Sequence, residues 1–500
     1  MMTSERADHE AGAVAALERA WQAEPLRREL SSLAIAAGRE VLLVGGAVRD
    51  VLLGREVGDW DVAGQGMIEL ARRFAAEHEL RVVILHEDFP TARVILQPGD
   101  PAGYLDFVEL RAPSLEEDLR ARDFTVNAIA WDVRGADHLV DPTGGADDLD
   151  RRLVRAPSRR VLAADPLRVL RAFRFAAQLG FAIEPETGRW LRALAPNVWA
   201  VPGERIGQEL LKLFAAPHAA DALQLAEEIG ALEGLFPALA AMRGVAQGGY
   251  HHLDVLGHTL LAVHEAERFI NEPELALPRS ADAVRAWVAD PGNRAAVRMA
   301  ALFHDVGKPE CRTVEDGHVR FLGHADAGAE AFLALAERVA LPTHLRRQVV
   351  RMIRLHMRPL ELANAGLAAE AEGRALADVV TLRAVRRLMR DADPASVGLL
   401  LLAAADRSAC RGPASLAEQR GRIYQIFDDM LARYLAWLRE QRERPALIDG
   451  NELMAELGLE EGPPVGELLD RIAEAYADRE VTTRAQALRF ARRLLRERDA

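Results

Sequence analysis

The sequence predicts an α+β fold, in which a head with a mixed sheet and helices precedes a chain that is helical to its end. Short apolar or alternating runs before residue 111 suit strands, and helical segments lie between them. From Arg151 onward, apolar residues recur with helical spacing. With 500 residues the chain is too long for one hydrophobic core, so we expect several domains.

Charge and composition exclude two classes of protein. The net charge of −13 argues against a protein that coats nucleic acid through bulk electrostatics, so any RNA contact must be local. No apolar run reaches the roughly 18 residues that cross a bilayer, and the acidic N-terminus lacks the pattern of a secretory signal. Cys311 and Cys410 form no disulfide framework and lack metal-site spacing. We therefore expect a cytoplasmic protein that binds no membrane.

A glycine pair joins the first predicted strand to a helix. Val41–Val44 is a short apolar run that suits a buried strand, and Gly45 and Gly46 then allow a sharp turn. Ala47–Leu53 has helical spacing. The backbone N–H groups at a helix N-terminus lie at the positive end of the helix dipole, so this turn predicts a seat for a triphosphate.

Two aspartates follow in a second predicted strand, Gly58–Val62. Asp59 and Asp61 are two residues apart, so they share one face of that strand. Adjacent carboxylates repel each other unless a cation lies between them, and hard oxygen ligands suit magnesium. The unit thus predicts metal-dependent phosphoryl or nucleotidyl transfer. The alternative is a glycine-rich hairpin with two solvated aspartates. The glycine turn or the aspartate pair, taken alone, would favour that alternative.

A helix and three more strands complete the predicted head. Asp106 shares a strand face with Tyr104 and Val108, which makes it a candidate third carboxylate; a solvent-facing aspartate on an edge strand is the alternative. The predicted elements are Ile68–His78, Arg81–Leu85, Thr91–Gln97 and Tyr104–Leu110.

The motif GGAVRD followed by GDWD resembles the head of the class II tRNA nucleotidyltransferases, which include the CCA-adding enzymes and bacterial poly(A) polymerases. The resemblance implies a triphosphate held by the glycines and an arginine, and Mg²⁺ held by the aspartates, with a further acidic residue assisting. The residues that match these roles are Gly45, Gly46, Arg49, Asp59, Asp61 and Asp106.

A second signature lies in EEDLRARDFTVNAIA, which resembles the family's Arg-Arg-Asp-Phe-Thr motif, with Ala121 in place of the first arginine. The resemblance implies that Arg122 and Asp123 place the sugar and phosphates of the nucleotide, with Asn127 nearby. Guanidinium groups supply forked donors for phosphate, and carboxylates accept from ribose hydroxyls. An ordinary charged helix start is the alternative.

The segment ADPLRVLRAFRF combines a helix start with arginines three residues apart. Asp165 suits a helix cap, and Arg168, Arg171 and Arg174 recur along one side, which by itself indicates a solvated stripe. The segment nevertheless resembles the family's base-selecting motif, which implies that Asp165 and Arg168 contact the base and that Arg171 belongs to the nucleotide site; the usual preceding glutamate is Ala164.

The Asp165–Arg168 pair has a chemistry that suits two of the four bases. Cytosine and adenine place an amino donor beside an unprotonated ring nitrogen, whereas uracil and guanine place a carbonyl beside a ring N–H. A carboxylate accepts from the amino group and a guanidinium donates to the ring nitrogen. The wrong bases leave both protein groups unpaired, so C and A are selected without a nucleic-acid template.

The connection between Arg111 and Glu116 is short, whereas CCA-adding members of the family carry a longer loop there. The resemblance associates that loop with the switch from C to the final A, so CC-only addition is the first alternative. A poly(A) polymerase is less favoured, because no long basic tail is present. An HD phosphohydrolase with an RNA-binding head is the third alternative.

Histidines and aspartates cluster after Gly249. Imidazoles and carboxylates on several helices suit a metal site in a bundle, although a lone buried histidine is usually core. The order His, His-Asp, Asp resembles the HD superfamily, which implies a second divalent metal of unassigned identity and phosphohydrolase activity on 2′,3′-cyclic or 2′-phosphate ends. The matching residues are His258, His304, Asp305 and Asp406, with His324 and His356 as further ligands.

Together these patterns predict a template-independent enzyme that adds C and A to the 3′ end of tRNA from CTP and ATP and binds no DNA. Arg205 and Lys212, on a predicted neck helix, are candidate phosphate contacts, with helix-surface charge as the alternative. The expected domains are an N-terminal helical segment, the head, a helical neck, an HD domain and a helical tail, at residues 1–37, 38–150, 151–240, 241–412 and 413–500.

Overall fold

The protein is represented by a computed structural model that describes residues 2–85, 91–96, 103–315, 318–413, 417–443, 447–460, 462–477 and 480–499. Its contacts divide the chain into two compact units. The first comprises residues 1–243 with 333–342, and the second comprises residues 244–332 with 343–500. The fold is α+β, as predicted, with the six-stranded sheet of the described residues confined to the first unit.

That sheet has the strand order β3-β4-β5-β2-β1-β6, in which only β2 and β5 run parallel and the other neighbours are antiparallel. Gly45 has a φ of +71°, which explains the glycine at the turn from β1 into the following helix. Gln97, the predicted end of one strand, lies outside the described residues. The strands are β1 (Leu42–Val44), β2 (Trp60–Gly64), β3 (Arg81–Ile84), β4 (Thr91–Ile95), β5 (Tyr104–Glu109) and β6 (Ala130–Asp132).

Helices surround the sheet and continue along the chain after it, where a short parallel pair, β7 (Leu153–Val154) and β8 (Ala182–Ile183), also lies. The helices of this unit are α1 (Met2–Gln22), α2 (Pro25–Ala37), α3 (Gly46–Leu52), α4 (Met67–Glu77), α5 (Leu115–Ala121), α6 (Gly145–Asp150), α7 (Arg159–Ala164), α8 (Leu167–Leu179), α9 (Pro185–Leu194), α10 (Gly203–Ala215), α11 (Ala219–Ile229) and α12 (Leu232–Leu235).

The N-terminal helices support the strand that carries the aspartates. Trp21 of α1 is fully buried and packs edge-on against Trp60 of β2, with ring centroids 5.7 Å apart. The guanidinium of Arg27 lies over the same Trp60 ring. Side chains alternate along a strand, so Trp60 holds β2 from the face opposite Asp61.

In the part of the second unit that the structure describes, every element is helical apart from the hairpin β9 (Thr313–Glu315) and β10 (His318–Arg320), and nearly every residue of α21 is buried. The last three helices share a separate apolar cluster. None of the described helices combines the length and the apolar character of a membrane span. The helices are α13 (Val255–Asn271), α14 (Ala281–Val288), α15 (Pro291–Phe303), α16 (His324–Arg338), α17 (Thr343–Leu355), α18 (Met357–Ala371), α19 (Leu376–Val379), α20 (Leu382–Ala392), α21 (Ser396–Ala409), α22 (Ala417–Glu443), α23 (Gly450–Leu457), α24 (Pro463–Ala477) and α25 (Arg484–Asp499).

Candidate nucleotidyltransferase site

A cavity of about 670 Å³ in the first unit brings together residues from the sheet, α5, α8 and α10. It unites the motifs that are separated by more than a hundred residues in the sequence. Of the residues predicted for nucleotide and metal binding, it is lined by Gly45, Gly46, Arg49, Asp61, Asp106, Arg122, Asp123, Asn127, Asp165, Arg168 and Arg171.

The carboxylates lie on the two parallel strands. Asp61 of β2 is in register with Asp106 of β5. Burial, together with the charges of Asp106 and Asp59, raises the pKa of Asp61 to about 6. A carboxylate that is destabilised in this way by burial and by its neighbours fits a divalent cation.

Asp59 occupies a different position from the one predicted. The strand begins at Trp60, so Asp59 precedes it, is exposed and is not among the residues that line the cavity. It is nevertheless held on the carboxylate side, because the Tyr104 hydroxyl donates a hydrogen bond to it. Tyr104 and Asp106 are two residues apart on β5 and therefore share a face.

Sequence reasoning missed an arginine at this site. Arg93 of β4 is in register with Asp106, and its Nε and one terminal nitrogen donate to the two Asp106 oxygens at 2.8 and 2.7 Å. The Arg93 guanidinium also lies over the Tyr104 ring, 3.6 Å from its centroid. The third carboxylate is therefore already paired with a cation of the protein.

Two guanidinium groups flank the glycine turn. A Cβ atom at Gly45 would lie 3.1 Å from a terminal nitrogen of Arg122, and one at Gly46 would lie 3.6 Å from Arg49. Arg49 is held by Asn127, whose side-chain oxygen accepts a hydrogen bond from it at 2.7 Å. Glycine at both positions leaves the space between the backbone and these cations open to a phosphate chain.

Asp123 is buried and fully engaged. One oxygen accepts from Arg171 at 2.9 and 2.7 Å, and the other accepts from the Asn127 amide and the Phe124 N–H. Burial alone would raise the pKa of Asp123, but Arg171 and Asn127 hold it below its usual value. Asp123 thus fixes Arg171 and Asn127, which both line the cavity.

The arginines of α8 do not form the solvated stripe that was the alternative to the predicted nucleotide site. Arg174 is 7% exposed, and its Nε donates to Glu209 of α10 at 2.5 Å. A terminal nitrogen of Arg171 lies 3.6 Å from the other Glu209 oxygen. The glutamate was not predicted, because its contact with α8 depends on how two distant helices pack.

Asp165 and Arg168, the two residues predicted to select the base, line the same cavity but have other partners as well. Asp165 accepts a hydrogen bond from the Leu167 N–H at 3.2 Å and one from Arg205 at 2.8 Å. A terminal nitrogen of Arg168 donates to the carbonyl oxygens of Ala121 and Val161. Ala121 is the position where the family motif has its first arginine.

The second unit contains a buried cluster of six predicted residues, which the structure brings together from α13, α16, α21 and the segments around residues 304 and 356. Two groups of three lie within metal-binding range: His258, His304 and Asp406, and Asp305, His324 and His356. His258 Nε2 is 3.0 Å from Asp406, and His324 Nε2 is 3.3 Å from His356 Nε2.

The chemistry of this cluster fits a cation. Asp305 Oδ1 is buried and has no hydrogen-bond partner among the described residues. Burial alone would raise the pKa of Asp305, but His304 and Lys308 hold it well below its usual range. Lys308 lies 2.6 Å from Asp305. His251 and Cys410 lie beside His258. The sequence did not predict these three residues as part of the cluster.

A mixed sheet that carries paired carboxylates beside a diglycine turn and converging guanidiniums defines a metal-dependent nucleotidyltransferase. Family profiles agree with this class. "Poly A polymerase head domain" matches residues 41–155, "Probable RNA and SrmB- binding site of polymerase A" matches residues 180–243, and "HD domain" matches residues 255–409.

Curated relatives extend the match over most of the chain. The A-adding tRNA nucleotidyltransferase of Deinococcus radiodurans is 39% identical over 91% of this chain and 95% of its own length. The CC-adding tRNA nucleotidyltransferase of Thermus thermophilus is 35% identical over 90% and 93%. The chain belongs to the tRNA nucleotidyltransferase family. Because relatives of both specificities match, the comparison does not favour CC-only addition.

A solved structure shares the fold. The Thermotoga maritima CCA-adding enzyme complexed with tRNA has a TM-score of 0.55 and 20% identity, covering 94% of this chain and 96% of that chain. Nucleotidyltransferase heads and HD domains are metal-dependent families, and the described residues include groups placed to bind metal ions.

Proposed function

We propose that the protein adds cytidine and adenosine to the 3′ end of tRNA from CTP and ATP without a template, in the cytoplasm. The observation that carries this function is the shared cavity: the metal carboxylate Asp61, the diglycine turn and the pair Asp165 and Arg168 all line it. Phosphate, reacting centre and base thus have their recognition groups around one space of nucleotide size.

In the proposed reaction the 3′-hydroxyl oxygen of tRNA bonds to the α-phosphorus, the bond from that phosphorus to the β-phosphate oxygen breaks, and pyrophosphate leaves. The hydroxyl proton passes to solvent. The backbone at Gly45 and Gly46 and the guanidiniums of Arg49 and Arg122 bind the triphosphate. Asn127, itself bonded to Asp123, holds Arg49 in place, and Asp118 accepts a hydrogen bond from Arg122 Nε at 3.2 Å.

Asp59 and Asp61 are the proposed ligands of Mg²⁺, with Asp106 as a neighbouring carboxylate neutralised by Arg93. When bound, the metal supplies positive charge for the reacting phosphate oxygens. Asp165 accepts from the amino group of cytosine or adenine, and Arg168 donates to the adjacent ring nitrogen. Arg171 is proposed to belong to the same nucleotide site, which it lines while donating to Asp123.

One observation favours CC-only addition as a second candidate. Strand β5 ends at Glu109 and α5 begins at Leu115, with Ser114 capping the helix, so only residues 110–114 connect them. The resemblance ties the switch to adenosine to a longer loop at this place.

The second unit is proposed to bind a divalent metal through His258, His304, Asp305 and Asp406, with His324 and His356 completing the set. Its proposed activity is hydrolysis of 2′,3′-cyclic or 2′-phosphate ends of RNA. We also propose that residues 1–37, 38–150, 151–240, 241–412 and 413–500 form the N-terminal segment, head, neck, HD domain and tail.

One assay tests the transferase proposal. tRNA that lacks its CCA end is incubated with labelled CTP and ATP, singly and together, with and without EDTA, and the products are sequenced. We expect CC from CTP alone, CCA from both nucleotides, and no product with EDTA. CC from both nucleotides would select the second candidate, and no incorporation under any condition would refute the proposed function.

A further inference from the structure

Arg205 contacts the carboxylate that is assigned to base selection. It lies in the first turn of α10, and its terminal nitrogen donates to Asp165 Oδ2 at 2.8 Å. The other oxygen, Oδ1, accepts from the Leu167 N–H of α8 at 3.2 Å. The carboxylate is thus held from two different helices, which fixes the plane in which its remaining lone pairs point.

This contact does not close the carboxylate to a base. Each carboxylate oxygen accepts two hydrogen bonds, so one donor on each oxygen leaves an acceptor position free on both. The Asp165 side chain is 30% exposed and lines the cavity, so those positions are open to a ligand. Arg205 therefore orients Asp165 and leaves it able to accept from an amino group.

The same ion pair restrains Arg205. The Arg205 side chain is 51% exposed and also lines the cavity. A guanidinium that was free at this position would donate to a carbonyl oxygen, the group that uracil and guanine present where cytosine and adenine present an amino group. In the pair with Asp165, the donor points at the carboxylate instead.

The helix that carries Arg205 is anchored on other sides. A Cβ atom at Gly203 or Gly207 would lie 2.0 or 2.1 Å from the carbonyl oxygens of Arg338 and Val339, so α10 packs directly on that backbone. Four residues after Arg205, on the same helix face, Glu209 binds Arg174 of α8. The backbone position of Arg205 is therefore fixed relative to α8, where the base-selecting motif lies.

We infer that Arg205 is a positioning residue for base selection: its ion pair orients Asp165 toward the amino group of C or A and withholds its own donors from the carbonyl of U or G. The inference rests on the proposed function and names a residue that the base-selecting motif does not contain. It acts through Asp165 and does not require contact with the nucleotide.

The test compares Arg205→Ala and Arg205→Lys with wild type, using Arg189→Ala, at an exposed position of α9, as the matched control. Single-nucleotide incorporation into tRNA is measured with CTP, ATP, UTP and GTP, and kcat and KM are determined for each. Both side chains of the pair are partly exposed, at 51% and 30%, so we expect an almost unchanged Tm. We expect Arg205→Ala to lower the CTP/UTP ratio of kcat/KM roughly tenfold, mainly through a higher KM for CTP, as for a lost hydrogen bond between charged groups.

Arg205→Lys retains the charge, so we expect it to recover part of the wild-type CTP/UTP ratio of kcat/KM. Arg189→Ala is expected to have the wild-type ratio. An equal loss of kcat/KM for all four nucleotides would overturn the inference, because Arg205 would then act in phosphate binding. An unchanged CTP/UTP ratio of kcat/KM would also overturn it, because Arg205 would then have no part in base selection. If Arg205→Ala does not fold, the CTP/UTP ratio of kcat/KM is measured for Arg205→Gln, and the same outcomes support or overturn the inference. A wild-type protein that incorporates neither C nor A would refute the proposed function instead.

Discussion

Asp61 and Asp106 lie side by side on parallel strands, and only Asp106 has a cationic partner bonded to both of its oxygens. Arg93 supplies that partner from β4, while Asp61 is half-buried and its pKa is raised by desolvation and by the charges of both other carboxylates. The arrangement concentrates the unfavourable charge on one residue. Asp61 is therefore the carboxylate that gains most from a bound divalent cation.

Asp61→Asn is expected to abolish nucleotide incorporation and to stabilise the metal-free protein. The shift in the pKa of Asp61 from 3.8 to about 6 corresponds to about 2–3 kcal/mol of unfavourable interaction at neutral pH. Denaturant unfolding in EDTA measures the gain. An Asp61→Asn protein that is less stable than wild type in EDTA would contradict this account, and normal incorporation would remove Asp61 from the site.

The same shift predicts a pH dependence. The folded state binds the Asp61 proton more tightly than the unfolded state, so this proton favours folding below pH 4, and its contribution is lost as the pH rises through about 6. Mg²⁺ requires the ionised carboxylate. We expect the rise in Tm caused by Mg²⁺ to be small at pH 5 and larger at pH 7.5, and to be absent in Asp61→Asn at both values. An equal rise at both pH values in the wild type would argue against Asp61 as the ligand.

How much of this site the sequence alone predicts depends on how far apart along the chain the interacting residues lie. The diglycine turn, the strand position of Asp61 and the helix start after Asp165 are local patterns that periodicity places correctly, whereas Asp59 precedes the strand that was predicted to contain it. Cross-strand register is not local. Arg93 reaches Asp106 only because β4 and β5 pair in one register, which no periodicity in β4 specifies.

The same reasoning explains what the sequence left open on α8. A three-residue spacing correctly placed Arg168, Arg171 and Arg174 along one side of a helix, and a solvated stripe was the alternative to the predicted nucleotide site. Glu209 of α10 and Asp123 of the head pair with that side instead. A buried ion pair needs both partners, and only the packing of separate elements shows where the second partner lies.

Metal content tests the cluster in the second unit. Asp305→Ala removes a buried carboxylate that belongs to one ligand group and lies within 3.6 Å of both histidines of the other, so we expect purified protein to lose most of its bound transition metal in elemental analysis. His344→Ala, at an exposed position of α17, is the control and should retain it. Unchanged metal content in Asp305→Ala would rule out this cluster as the binding site.

The buried pair Arg174 and Glu209 should matter more for stability than for chemistry. Their side chains are 8% and 6% exposed, so Arg174→Ala leaves a buried carboxylate without its closest cation and should lower the free energy of unfolding by about 3 kcal/mol. Replacing both residues, as in Arg174→Met with Glu209→Leu, removes the charge as well as its partner and should cost less than Arg174→Ala alone. Denaturant unfolding of the two variants measures the difference, and a double variant less stable than the single one would show that Glu209 is held mainly by Arg171.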